Sequence, residues 1–292
     1  MEFTAYLAWV SVAVFVFMVA YRVVKYASMP LSLRWELYPV PHEPKGGGSY
    51  MEEVDFVKKP IHSNRVAGLM EMASEVFFLK KVKEHNRFGI WPFSLSMHWG
   101  IYLLFLWVLL LVIEAVFKLG FLPTITNVCG KIAFVLGAFG CFTLVLKRAG
   151  AKKLALYTAP EDYFNLFFLL AIFVTGIISW SIDPSFAYAR AYVKEVTLVQ
   201  PVPVPLPTVV LLNFILFELF LLYMPFCKLL HWLGKYFTID KIIWDDAFKV
   251  KDSPADKKVM KQLGYVVTWR GPHIVPGKTW LEEAQIMGGG EN

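Results

Sequence analysis

Long apolar runs alternate along the chain with shorter polar and mostly basic segments. Five of the runs are long enough, or nearly so, to cross a bilayer: residues 6–24, about 92–116, 132–146, 163–182 and 208–232. A span needs about 20 mostly apolar residues rising 1.5 Å each. The third run is short unless it begins nearer Thr124, and the second is interrupted only by His98 and, near its end, Glu114. The pattern predicts an all-α membrane protein, a five-transmembrane-helix bundle. Between the spans, residues 26–62 are rich in Pro and Gly and should run irregularly. Residues 65–85 space their apolar groups as an amphipathic helix lying in the interface, with Lys80, Lys81 and Lys83 following. Such a helix either lies on lipid or offers a docking face to a soluble partner. Residues 183–207 hold a Pro-rich run from Pro201 to Pro207, read as a stiff extended return to the membrane.

Composition agrees with this layout and narrows it. The chain has 292 residues, 57% of them hydrophobic and 18% charged, against roughly 45–50% and about 25% in a soluble domain. That balance excludes a soluble globular enzyme, a disordered chain and a nucleic-acid-binding domain. The three cysteines, Cys129, Cys141 and Cys227, are isolated, so a disulfide framework, a structural zinc site or an iron–sulfur cluster held by this chain alone is not expected.

Charge sets the orientation. Of the 29 Lys and Arg residues, eleven lie between Arg22 and Arg87, four between Lys147 and Lys153, and ten between Lys228 and Lys278. Only Lys118, Lys131, Arg190 and Lys194 fall on the other side. The positive-inside rule therefore expects the N-terminus outside and the C-terminus cytoplasmic, with the first span retained as an anchor rather than cleaved. The expected organisation is a first transmembrane anchor (1–25), a cytoplasmic loop with the amphipathic helix (26–90), a four-helix membrane core (91–232) and a C-terminal cytoplasmic tail docking a partner (233–292).

Candidate chemistry is sparse. Of six histidines, only His98 and His231 lie within or at the ends of spans, where ionisable groups are costly and usually functional. On the expected orientation both sit at the cytoplasmic end, on two antiparallel helices that can be neighbours. Two neutral imidazoles facing each other across a bundle are the axial pair of a b-type haem, non-covalent here because no CxxCH is present. A second, outer haem would want histidine eighteen residues before His231 and ten after His98, but Asn213 and Val108 stand there. One bis-histidine haem is expected. Arg87, Lys147, Arg148 and Lys228 are cations at the same depth; Arg87 and Lys228 are the candidates for propionate partners, against a plain positive-inside role. Glu114 and Glu218 are the remaining intramembrane charges, and Trp91, Trp99, Trp232 and Tyr236 read as interfacial belt residues.

These residues resemble a known family. The segment Phe93-Ser-Leu-Ser-Met-His98-Trp-Gly resembles the start of the second helix in the gamma (cytochrome b) subunit of respiratory nitrate reductase. Pro225-Phe-Cys-Lys-Leu-Leu-His231-Trp resembles the end of its fifth. The run from Lys235-Tyr-Phe-Thr to Trp244-Asp-Asp is similar to the tail of cytochrome b subunits in heterodisulfide-reductase-like and sulfite-reduction-associated membrane complexes. The resemblance covers roughly residues 65–235. It implies that His98 and His231 ligate one haem b. It further implies an electron-transfer subunit in a prokaryotic cytoplasmic membrane, exchanging electrons between menaquinone and a cytoplasmic iron–sulfur partner of the heterodisulfide-reductase type. Two other readings stand beside it: a non-redox anchor for a soluble complex, and a transporter using Glu114 and Glu218.

Overall fold

The computed structural model describes residues 3–29, 65–117, 119–199, 205–238, 251–272 and 274–287. The tail motif around Trp244, most of the Pro-rich run and the loop 30–64 lie outside the described residues, as do His42, His62 and His273.

The described chain is helical almost throughout. Its elements are α1 (Phe3–Ser28), α2 (Arg65–Phe78), α3 (Lys80–Glu84), α4 (Trp91–Phe117), α5 (Leu122–Gly150), α6 (Lys152–Ala155), α7 (Pro160–Ile182), α8 (Ala187–Leu198), α9 (Thr208–Tyr223), α10 (His231–Thr238), α11 (Pro254–Leu263) and α12 (Trp280–Met287). Five helices, α1, α4, α5, α7 and α9 with its first 3₁₀ turn, are long and apolar enough to span a membrane. The expectation of a five-helix, all-α membrane protein holds. Helices are the form a spanning segment takes because the bilayer offers no water to backbone N–H and C=O groups. Their starts follow local chemistry. Pro123 and Pro160 occupy first-turn positions of α5 and α7, where no N–H is needed. Asp162 Oδ2 accepts the Ala159 N–H at 2.8 Å at the head of α7.

The chain divides into two compact units. The first, residues 1–21 and 73–231, contains the bundle. Leu104, Trp107 and Leu111 of α4 are buried with Phe134 and Cys141 of α5, Ile172 and Phe173 of α7, and Phe214, Phe217 and Phe220 of α9. Large apolar side chains such as Phe17, Leu109, Phe139 and Phe164 are exposed, as lipid-facing groups must be. Lipid tails are as apolar as leucine, so apolar burial alone does not hold such helices together and close packing across small residues takes its place. Gly100 on α4 and Gly137 on α5 meet backbone to backbone: a Cβ on Gly100 would stand 2.4 Å from the Gly137 Cα and N. One layer further, a Cβ on Gly176 of α7 would stand 2.2 Å from the Phe134 ring.

The second unit, residues 22–72 and 232–292, has its own local order. Ser253 caps α11 by accepting the Asp256 N–H at 3.1 Å. An antiparallel turn then pairs Val267 N with Lys278 O at 2.7 Å, and Glu283 of α12 accepts the Val275 N–H at 3.0 Å. The part of the tail described here is thus a helix–turn–helix element with a buried Val267, rather than a featureless extension.

Three local features depart from the sequence expectation. The amphipathic helix is not continuous from 65 to 85. It breaks at Leu79, which takes a left-handed conformation (φ 50°) while buried, and Glu75 accepts the Lys81 N–H at 2.8 Å across the break. The fifth span does not run to Trp232. Pro225 cannot continue the α-helical ladder, so α9 ends at Tyr223, passes through two 3₁₀ turns, and the chain restarts helix at His231. Counting helix faces back from His231 to Asn213 or Glu218 as one straight helix is therefore wrong. Finally, the return 183–207 contains a twelve-residue helix, α8, whose Ala189, Tyr192, Val193 and Glu195 are buried. Aromatic and aliphatic positions on one face of 187–198 carried that signal, beside a Pro-rich run that argued for extended chain.

Replacing Gly100 by Ala should force α4 and α5 apart and cost about 1–3 kcal/mol, the usual range for overpacking. Thermal unfolding of detergent-solubilised protein should show it, while Gly120→Ala, with nothing within 4 Å of the new Cβ, should unfold like the parent.

Candidate functional site

His98 and His231 meet. Their ring centroids are 6.0 Å apart, with the ring planes at 79°. Two different local devices aim them. His98 lies two turns into α4, and its Nδ1 sits 2.7 Å from the Ser94 carbonyl one turn earlier. His231 is the first residue of α10, and its Nδ1 sits 3.0 Å from the Lys228 carbonyl in the preceding 3₁₀ turn. A carbonyl oxygen only accepts, so each Nδ1 donates, as it does in histidines that bind a metal through the other nitrogen. His98 is partly buried and His231 is exposed.

The pair suits a metal that brings most of its own ligands. Among the described residues no group of three or more His, Cys, Asp or Glu side chains could form a metal cage by itself. A metal–imidazole bond is about 2 Å. Two such bonds in line, plus the distance from each nitrogen back to its ring centre, come to about 6 Å. A haem, which brings its other ligands with it, would fit this donor set, held by His98 and His231.

The cations expected near this site are arranged differently from one another. Lys228 is ion-paired with Glu161 Oε2 at 3.4 Å and Asp162 Oδ1 at 3.3 Å, and its backbone N–H donates to Glu161 Oε1. The Asp162 hydrogen bond, and with it the pair's charge, raises the Lys228 pKa above the ordinary lysine range. Its ammonium is thus already engaged, and its carbonyl is what orients His231. Arg87 is exposed in the turn ahead of α4. Lys147 lies over the Phe93 ring at 5.6 Å, and Arg148 donates to Thr158 Oγ1 at 3.1 Å.

Trp91 and Trp99 do more than form an interfacial belt. The break at Leu79 leaves the last carbonyls of α2 without helical donors. Phe78 O receives the Trp91 Nε1–H at 2.8 Å, Phe77 O the Trp99 Nε1–H at 3.0 Å, and Val76 O the Tyr102 hydroxyl at 3.0 Å. All three donors belong to α4 and flank His98, and the Tyr102 ring lies 6.2 Å from the imidazole. The end of α2 is thus fastened to the helix that carries the first histidine.

The opposite end of the bundle is held by polar contacts the sequence did not reveal. Arg190 of α8 donates to Glu114 Oε2 at 2.7 Å, to Asn127 Oδ1 at 3.0 Å and to Pro123 O at 3.2 Å, and also to Ser185 O. Glu114 is therefore the counter-charge that docks α8 against α4 and α5. Asp183 accepts from the Ser185 and Tyr188 N–H groups and starts that helix. Asn213 donates to Ile172 O at 2.7 Å and Thr175 Oγ1 at 2.9 Å, joining α9 to α7. A lone amide in an apolar span is the sequence signal for such an interhelical bond. A small cavity near it is lined by Trp107, Phe134, Phe186, Phe214 and Asn213 among others.

Comparison with known proteins now bears on this geometry. The chain is 23% identical over 268 residues to the Hdr-like menaquinol oxidoreductase cytochrome b-like subunit of Archaeoglobus fulgidus, a match covering 79% of this chain and 76% of that one. It is a distant relative of that subunit. No protein-family profile matches the chain, and no solved structure does. The region shared with the relative takes in most of the chain, well beyond a single span, so the likeness is not a product of apolar composition in one helix.

Replacing Trp91 and Trp99 together by Phe should leave two α2 carbonyls without their donors. Backbone amide exchange across residues 73–79 should then accelerate at least tenfold, about 1.4 kcal/mol of lost protection, while the α5 and α7 amides keep their parental rates.

Proposed function

We propose that this protein is the membrane cytochrome b subunit of a menaquinol-linked respiratory complex, holding one haem b between His98 and His231. The observation that carries the reading is the 6.0 Å approach of the two rings, each with its Nδ1 hydrogen bonded to a backbone carbonyl. The name of the Archaeoglobus relative supports the menaquinol connection and the membership of a larger complex. The positive-inside bias supports a cytoplasmic placement of the histidine end. From there electrons would pass to or from a cytoplasmic iron–sulfur subunit of the heterodisulfide-reductase type.

When bound, the haem supplies one-electron chemistry at its iron. The protein's own residues do the rest. His98 and His231 bind through Nε2, and the Ser94 and Lys228 carbonyls fix their tautomers and ring directions. The ion pairs of Lys228 with Glu161 and Asp162 tie the 3₁₀ turn before His231 to the head of α7, which holds the second ligand in register with the first. Trp91, Trp99 and Tyr102 fix the flank of His98. Of the four cations expected near the site, Lys228 is the one ion-paired with carboxylates among the described residues, whereas Lys147 lies over Phe93, Arg148 is bonded to Thr158 and Arg87 is exposed. The propionates of the group would meet Arg87 more readily than Lys228.

Either His98→Ala or His231→Ala should abolish the low-spin haem spectrum while the protein still inserts and purifies as a folded bundle. A full low-spin spectrum retained by each single variant would exclude the assignment. Lys228→Met should keep the spectrum and weaken haem retention, because it loosens the turn without removing a ligand.

A further inference from the structure

Glu218 is the one span carboxyl among the described residues that no cation neutralises. It lies on α9, 3% exposed, among Phe214, Phe217, Phe220 and Leu221. Its Oε2 is buried and has no hydrogen-bond partner. Its Oε1 is hydrogen bonded to the Tyr192 hydroxyl of α8. The same hydroxyl lies 3.0 Å from the Thr4 carbonyl oxygen of α1.

The proton count at this junction is decisive. A tyrosine hydroxyl has one hydrogen to donate. The Thr4 carbonyl can only accept, and an ionised Glu218 could also only accept. Both contacts of the Tyr192 oxygen are full hydrogen bonds only if one neighbour brings its own hydrogen, and Glu218 is the neighbour that can. In that arrangement the Glu218 carboxylic acid donates to Tyr192 and Tyr192 donates to Thr4 O. An uncompensated carboxylate in an apolar interior is expensive, whereas a neutral carboxyl with an unpartnered carbonyl oxygen is tolerable. The geometry and the environment select the same state.

We propose that Glu218, with Tyr192, is a reversible proton-binding site in the membrane interior, shown in this structure in its proton-loaded form. Loss of the proton turns the Tyr192 hydroxyl from Thr4 O towards the carboxylate, so the charge state also sets a contact between α1 and α8. The other groups facing the pair do not replace it. Glu195 is a second buried carboxyl, one turn away on α8. Glu114 of α4 is held by Arg190, Asp183 at the end of α7 caps α8, and Tyr6 of α1 is exposed. The buried Thr4 and Ser11 hydroxyls, both without hydrogen-bond partners, extend the polar seam along α1.

Resting on the function proposed above, the site receives protons from quinol-class substrates. Oxidation of a quinol breaks two O–H bonds and releases two protons and two electrons. For each proton taken here, Glu218 first releases its own proton to solvent and, once ionised, accepts the next by way of the Tyr192 hydroxyl, which passes one hydrogen on as it receives another. The two electrons would go, one at a time, to the one-electron acceptor of the proposed function, and the second proton to another acceptor or to solvent.

Infrared spectra of the full chain in nanodiscs test the protonation without any cofactor. At neutral pH the parent should show the C=O band of a solvent-shielded carboxylic acid. The band should be missing from Glu218→Gln and shifted in Tyr192→Phe, a variant that keeps the ring packed on Phe214 and serves should the first not fold. A band unchanged in both variants overturns the proposal. On haem-loaded protein, Glu218→Gln should slow reduction by a soluble menaquinol analogue about a hundredfold, as general acid–base losses do, and flatten its pH profile. Glu218→Asp should recover part of both, and dithionite should reduce the haem fully in every variant. A parental rate and pH profile in Glu218→Gln overturns the link to quinol oxidation alone, whereas failure of the parent to bind haem overturns the proposed function and leaves the infrared result to decide protonation.

Discussion

A bilayer interior supplies no water to a polar group, and most of this structure can be traced to that shortage. Backbone groups close on themselves in five long helices. The polar side chains that remain are assigned to particular jobs at helix contacts. Arg190 joins α8 to α4 and α5 through Glu114, Asn127 and Pro123 O. Asn213 joins α9 to α7. Three α4 aromatics answer the open carbonyls at the end of α2. Between these bonds the helices close on glycine, most tightly where Gly100 meets Gly137. Beside these pairings, two sets of polar groups bear on function.

One lies beyond the Pro225 turns, where His98 meets His231, and the other is Glu218 of α9 with Tyr192 of α8. The histidines each hold Nδ1 against a carbonyl one turn away, and their ring centroids lie 6.0 Å apart. Glu218 and Tyr192 form the second set, separated from the first by the rest of α9 and the Pro225 turns. On the proposed reading, the first set handles electrons and the second protons, and a quinol couples the two.

Much of this was legible in the chain. Apolar run length gave the spans, because nothing but a bilayer favours about 20 such residues in succession. The charge bias placed His98 and His231 at one end, and antiparallel neighbours then had to bring them near each other. What escaped was local. Leu79 breaks the amphipathic helix through a left-handed backbone that its side chain gives no hint of. Pro225 ends α9 early, so that His231 begins a new helix, and face counts across it fail. Helix α8 was hidden by its modest apolar content and by the prolines after it. The pairing of Glu114 with Arg190 was also hidden, since a partner 76 residues away leaves no mark in spacing. Trp91 and Trp99 looked like belt residues because their indole N–H partners are backbone atoms of another helix. The ion pairs of Lys228 were hidden because Glu161 and Asp162 lie more than 60 residues away in sequence.

The claim that organises this account is that two histidines hold one haem b. A pyridine haemochrome spectrum with stoichiometry, taken on the purified full chain grown with adequate haem supply, tests it most directly. One haem b per chain is the expected result. A folded preparation without haem would contradict it and return the protein to the reading of a membrane anchor, and a value near two would require a ligand pair beyond His98 and His231.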